Sequence, residues 1–207
     1  MAGTALPRLA GVHIEAIAVV VAGYLAGSID FGVILPRLRG VDIYAKGSGN
    51  PGASNVLRSM GRKMAALVVA GDLSKGFLAA MAGDLWVGEA AALAAGFAAV
   101  LGHCFPIWHR FRGGKGVAAA AGMILWLEPW AGVGFLAAWA LMVALTKRAS
   151  IASITVAVAL VPVLGWLGQR GWSLIWAGAA SVLIIGRHRA NIQRLRGGSE
   201  HTIEESA

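Results

Sequence analysis

The chain has 207 residues, 57% of them hydrophobic and only 14% charged, with a mean hydropathy of +0.69. A soluble domain of this length carries roughly 25% charged residues, so the composition excludes an ordinary water-soluble fold and points to lipid as solvent. The net charge of +8 suggests nucleic acid in a soluble protein, but in a membrane protein it is the mark of basic loops flanking spans, and no nucleic-acid partner is expected.

Seven apolar stretches follow in chain order, at 14–35, 64–83, 88–107, 116–128, 130–146, 150–168 and 172–187. A crossing helix needs about 20 apolar residues. The fourth and fifth are short, which suits either tilted helices in a thinned bilayer or helices packed around a polar cavity rather than facing lipid, and leaves five or six true spans as the alternative. The expected fold is therefore an all-α integral membrane protein of about seven transmembrane helices. It forms a single polytopic domain over residues 1–207, with a short tail from about 188. Arg8 precedes a first apolar run too long for a signal-peptide core, so this run reads as a retained span.

The cations fix an orientation. Of 18 Lys and Arg residues, 15 fall in alternate loops: Arg37, Arg39, Lys46, Arg58, Arg62, Lys63, Arg110, Arg112, Lys115, Lys147, Arg148, Arg187, Arg189, Arg194 and Arg196. Arg8 and Arg170 fall on the other side, and Lys75 lies within a span. The positive-inside rule then places the N-terminus outside and the C-terminus in the cytoplasm. The lone Cys104 excludes an intrachain disulfide and reads as a packing residue.

The first basic loop holds Gly47-Ser48-Gly49-Asn50-Pro51-Gly52-Ala53-Ser54-Asn55, followed by Arg58. Glycines let backbone N–H groups approach an anion, the Ser and Asn side chains add donors, and Arg58 supplies a planar cation for phosphate oxygens. Asp72 and Lys75 are three apart, so they share a helix face. They read either as a structural ion pair beside the site or as direct substrate contacts. Gly113-Gly114-Lys115-Gly116 opens the fourth span, where free helix N–H groups and Lys115 suit a second anion. This is not a nucleotide loop, because His109 occupies the leading glycine position and Gly116 the Ser/Thr position. His188 and Asn191 are again three apart. The neighbouring Arg189, Arg194 and Arg196 suit anionic headgroups. His13 and His109 read as interface residues, and His103 as a helix-end packing or hydrogen-bonding group.

Taken together, these segments resemble the bacterial acyl-phosphate:glycerol-3-phosphate acyltransferases, the PlsY family. The resemblance rests on Gly47–Arg58, Gly71-Asp72-Leu73-Ser74-Lys75-Gly76 and Gly102-His103-Cys104-Phe105-Pro106. It continues through Gly113-Gly114-Lys115-Gly116-Val117-Ala118 and a terminal stretch from His188 to Glu200. It spans residues 23–200. Ser54 replaces a usual Thr, and Asp30 stands where the family usually has Pro. The resemblance implies acyl transfer from acyl phosphate to the 1-hydroxyl of glycerol 3-phosphate, giving lysophosphatidic acid and phosphate. This is the first acylation of phospholipid synthesis, at the cytoplasmic face of a bacterial inner membrane. Ser48, Arg58, Lys115, His188 and Asn191 would be catalytic. Gly47, Gly49, Asn50, Gly52, Ser54, Asn55, Gly113, Gly114 and Gly116 would cradle phosphate, and Asp72, Lys75, His103 and Glu200 would support the site. No metal or cofactor is implied, and a monomer suffices.

No histidine is followed five residues later by Asp, so the His–Asp activation of other acyltransferases is absent. Catalysis by positioning, with a donor phosphate oxygen or His188 taking the hydroxyl proton, is the expectation. Transport of a phosphorylated metabolite and a non-catalytic lipid scaffold are rival classes. Transporters place their site near the midplane between repeats, whereas here the donors gather at one face and no repeat is visible.

Overall fold

A computed structural model describes residues 6–204, with side chains from residue 14 onward. The side chains of Arg8 and His13 lie outside these. Among the described residues all long elements are helices and none is a strand: α1 (Leu6–Gly27), α2 (Phe31–Arg37), α3 (Ala53–Met60), α4 (Arg62–Trp86), α5 (Glu89–Cys104), α6 (Val117–Leu127), α7 (Pro129–Thr146), α8 (Ala149–Trp166), α9 (Trp172–Arg187) and α10 (Arg189–Arg196). Each of the seven apolar stretches is helical, the first being divided between α1 and α2. Four segments are long and apolar enough to cross a membrane, and a bent pair, Ile14–Gly27 with Phe31–Arg37, makes up to five.

The bend has a local cause. Ser28 Oγ donates back to Tyr24 O at 2.9 Å, ending α1. Asp30 then caps α2, its Oδ1 accepting from Gly32 N at 3.0 Å. A carboxylate at the N-cap satisfies a backbone donor that the helix leaves unpaired. That is the role of Asp30, the residue that departs from the family pattern.

Small residues set the central packing. A Cβ on Gly27 would meet Ala99 O at 2.2 Å, and one on Gly76 would meet Ala119 O at 1.9 Å. The backbones of α1 and α5, and of α4 and α6, therefore touch directly, as in other membrane bundles. With 11 residues and a rise of 1.5 Å each, α6 is about 16 Å long, roughly half the thickness of a hydrocarbon core. Its preceding turn is buried at Gly113, Gly114 and Gly116. Within a membrane, irregular backbone is tolerated only inside protein or beside a polar cavity.

The basic loops converge at one end of the bundle. Tyr44 Oη donates to Arg112 O at 2.6 Å, Arg187 reaches Gly113 O at 2.8 Å, and Ile203 N donates to Lys147 O at 2.8 Å. At the opposite end Gln169 donates to Glu128, and Trp126 Nε1 donates to Asp84 Oδ2 at 3.1 Å. Exposed Trp86, Trp130, Trp166 and Trp172 terminate helices there, where an aromatic belt would sit.

Candidate active site

The first basic loop is only partly a loop. Gly47 and Gly49 adopt φ of 48° and 66°, the left-handed region that glycine enters without steric cost. Asn50 Oδ1 accepts from Gly52 N at 3.0 Å, and Gly52 then starts α3. Ser54, Asn55 and Arg58 therefore lie on a helix and not on an extended cradle. Asn55 is 2% exposed and holds the loop together. Its Nδ2 donates to Lys46 O at 2.9 Å, while its Oδ1 accepts from Ser48 N at 3.1 Å and from Arg58 Nη2 at 3.4 Å. One amide thus aligns Ser48 with Arg58, leaving these two facing the cavity.

The Gly-Gly-Lys turn is shaped by its neighbours. Cβ atoms on Gly113 and Gly114 would meet His103 O at 2.1 Å and His103 Nε2 at 2.2 Å, so any side chain there displaces the end of α5. Gly114 N donates to His103 O at 3.0 Å. The carbonyls of Gly113 and Gly114 accept from Arg187, the latter at 3.1 Å from Nε. Gly116, at φ 86°, is the N-cap of α6. The turn therefore presents Lys115 and the first N–H groups of α6, which lack partners within their own helix.

Lys115 Nζ donates to Asn191 Oδ1 at 2.6 Å. Asn191 Nδ2 donates to Glu200 Oε1 at 2.6 Å, and Arg194 Nε donates to Glu200 Oε2 at 2.8 Å. Burial pushes the Lys115 ammonium down to about 8, against the pull of Glu200. Burial opposes the Glu200 carboxylate too, but the bonds from Asn191 and Arg194 hold it below its ordinary value. His188 is 2% exposed, and its Nδ1 lies 2.7 Å from Ile184 O. A carbonyl only accepts, so the proton sits on Nδ1 and the lone pair on Nε2. Burial first, and then the charge of Lys115, push His188 down to about 4. It is neutral at physiological pH.

Behind the turn, Asp72 and Lys75 form the ion pair expected of their spacing, at 2.9 Å. Lys75 also donates to Ile29 O at 2.8 Å, tying α4 to the break after α1. His103 Nδ1 lies 3.4 Å from the same Asp72 oxygen. The cluster fixes the histidine against which Gly113 and Gly114 pack.

A cavity of about 310 Å³ joins these groups. Its polar end is bounded by Ser48, Arg58, Lys115, His188, Asn191 and Glu200, together with Ser54 and Arg194. Its apolar remainder runs between α4 and α6 on one side and α7 and α8 on the other. All five residues expected to be catalytic line this single cavity. Gly47, Gly49, Gly113 and Gly114 do not line it; they shape the segments that do. The sequence assigned Arg194 to headgroups and Arg187 to a span border. Their partners, Glu200 and the Gly113–Gly114 carbonyls, become visible only once the chain is folded.

The arrangement matches known proteins. The family model for glycerol-3-phosphate acyltransferase covers residues 17–198. The glycerol-3-phosphate acyltransferase of Sinorhizobium medicae strain WSM419 is 46% identical over 190 residues, covering 91% of this chain and 93% of its own. That of Pseudomonas savastanoi pv. phaseolicola is 44% identical over 179 residues, covering 86% and 92%. The crystal structure of PlsY (YgiH), an integral membrane glycerol 3-phosphate acyltransferase, superposes in its glycerol 3-phosphate form with a TM-score of 0.87. It is 38% identical, with 90% of this chain and 94% of that one covered. Its lysophosphatidic acid form gives 0.85. With this coverage in sequence and in structure, the chain is an integral membrane acyltransferase and belongs to the glycerol-3-phosphate acyltransferase family.

Proposed function

We propose that the protein transfers an acyl chain from acyl phosphate to the 1-hydroxyl of sn-glycerol 3-phosphate, releasing 1-acylglycerol 3-phosphate and inorganic phosphate. One observation carries this reading: a cationic pocket and an apolar groove are a single cavity. Such a shape accepts two phosphate-bearing molecules of which one has a fatty chain. The solved relative occurs in glycerol 3-phosphate and lysophosphatidic acid forms, which supports the same acceptor and product here. The distribution of basic loops supports a site that faces the cytoplasm, with the bacterial inner membrane as the proposed location. One chain carries every site residue, so a monomer suffices.

Ser48 and Arg58, aligned by Asn55, hold one phosphate. Lys115 and the N-terminus of α6 hold the other. Neutral His188 first accepts a hydrogen bond from the acceptor hydroxyl at Nε2, which aims its oxygen at the donor carbonyl carbon; as the oxygen attacks, that hydrogen turns from Nε2 to a donor phosphate oxygen. A C–O bond forms there, and the C–O bond to phosphate breaks. With a value near 4 beside a cation, His188 is a poor home for the proton. A donor phosphate oxygen receives it, and it departs with the phosphate. Most of the acceleration then comes from alignment and from fixed charges facing the leaving phosphate.

Purified protein given palmitoyl phosphate and glycerol 3-phosphate is expected to form lysophosphatidate and phosphate one to one. Turnover with palmitoyl-CoA alone, and none with palmitoyl phosphate, would overturn the donor assignment.

A further inference from the structure

The groove beyond the polar pocket has a measurable depth and a defined floor. Along α7 it is lined from Val143 to Gly132, eleven residues and about 16 Å apart at 1.5 Å per residue. That is close to half of a hydrocarbon core about 30 Å thick, the length available to a chain in one leaflet. The helices α6 and α8 run the other way, and their deepest lining residues are Ile124 and Leu160. Both belong to the buried cluster that includes Ala131 and Leu164, with Phe135 packed against it. At its deep end the groove therefore meets a close-packed apolar cluster.

The cluster is hard to shift from one side. A Cβ on Gly132 would meet the Leu125 backbone at 2.8 Å, so α6 and α7 are already in contact at this level. Nearer the pocket, Trp139 Nε1 donates to Ser153 Oγ at 3.0 Å, and Ser153 Oγ donates to Ala149 O at 2.8 Å. This chain of bonds pins α7 to α8 and fixes the groove wall. Rigid walls and a filled floor make a length gauge, because an added methylene must displace close-packed atoms and a missing one leaves an unfilled void.

We infer that Ile124, Phe135 and Leu160 form a floor that sets the length of acyl chain the enzyme transfers. The occupant is the acyl chain of the donor, so the inference rests on the acyl-transfer reading above. The head of that chain is fixed in the polar pocket by its phosphate, and its tail length is what the floor reads. Phe135, only partly buried, is the member whose truncation removes bulk at least risk to folding, and Ile124→Phe adds bulk at the same level.

The test gives the wild type, Phe135→Ala and Ile124→Phe an equimolar mixture of myristoyl, palmitoyl and stearoyl phosphate with glycerol 3-phosphate. The chain composition of the lysophosphatidate formed is then read by mass spectrometry. Phe135→Ala is expected to raise the stearoyl-to-myristoyl product ratio about tenfold, as room for one or two methylenes would. Ile124→Phe is expected to lower it. The KM for glycerol 3-phosphate stays at its wild-type value in Phe135→Ala, which a general loosening of the bundle would not allow. An unchanged product ratio in Phe135→Ala, with turnover retained, overturns the inference even if Ile124→Phe fails to fold. The same mixture supplied as acyl-CoA separates the two claims: the product composition reports the floor whichever donor is used, whereas the choice of donor reports only the chemistry at the pocket.

Discussion

Lys115 and Asn191 lie 76 residues apart in sequence and are joined by a 2.6 Å hydrogen bond. Asn191 connects that lysine to Glu200 and, through it, to Arg194. The two halves of the polar pocket, one on the turn before α6 and one on α10, are thereby a single hydrogen-bonded unit. The amide carbonyl orients the ammonium without neutralising it, leaving its charge for a phosphate. Asn191→Ala removes that acceptor and leaves the buried Glu200 without its amide donor. The loss in kcat/KM is expected to be about a hundredfold or more, the scale of losing one preorganised electrostatic partner. Asn191→Asp should do no better, because it adds a second carboxylate beside Glu200. Steady-state kinetics of both variants check this.

The pH profile follows from the same pair. Lys115 is held near 8 by burial, so its cation is present below that value and lost as pH rises through it. The kcat/KM for glycerol 3-phosphate should fall on the alkaline side with a midpoint near 8, and Lys115→Arg should move that limb upward or abolish it. His188, near 4, does not titrate in this range. Any acid limb near pH 6 belongs to substrate phosphate, whose second ionisation lies at about 6, and should persist in residual His188→Gln activity.

Gly114→Ala puts a methyl carbon where the His103 ring lies at 2.2 Å, and that ring is backed by Asp72 and Lys75. The backbone must shift, at a cost of about 1–3 kcal/mol for overpacking. The melting temperature in detergent should drop, with activity falling further than stability because Lys115 rides on the same turn.

The seven apolar stretches are all helices because each is a run that water rejects and that must pair its own backbone bonds. That part of the fold is legible in composition alone. The short fourth stretch is less obvious: α6 begins only after a buried turn whose glycines pack against His103, a contact between segments that local pattern does not pair. Local pattern also hides α3. Gly47–Asn55 reads as one donor-rich loop, yet Gly52 starts a helix that places Asn55 inside the loop and Arg58 at the cavity. The five catalytic expectations came from motif and resemblance, and all line one cavity. The link from Asn191 through Glu200 to Arg194 depends on the tail turning back after α10, where Ser199 N donates to Arg194 O at 2.9 Å. No spacing rule announces that turn.

Asp30 gives an independent check on local structure. Asp30→Ala should cost about 1 kcal/mol by removing the cap of α2, whereas Asp30→Ser or Asp30→Asn should retain most of the stability. Thermal unfolding of the three variants separates a capping role from a catalytic one, since kcat should change little in Asp30→Asn.

If both substrates occupy one cavity and the hydroxyl attacks the donor carbonyl directly, a ternary complex must form before any product leaves. Initial-velocity measurements varying palmitoyl phosphate at several fixed concentrations of glycerol 3-phosphate test this most directly. Intersecting double-reciprocal lines are expected, with no phosphate burst when glycerol 3-phosphate is omitted. Parallel lines together with such a burst would mean an acyl-enzyme intermediate, and would contradict direct transfer between two substrates held side by side.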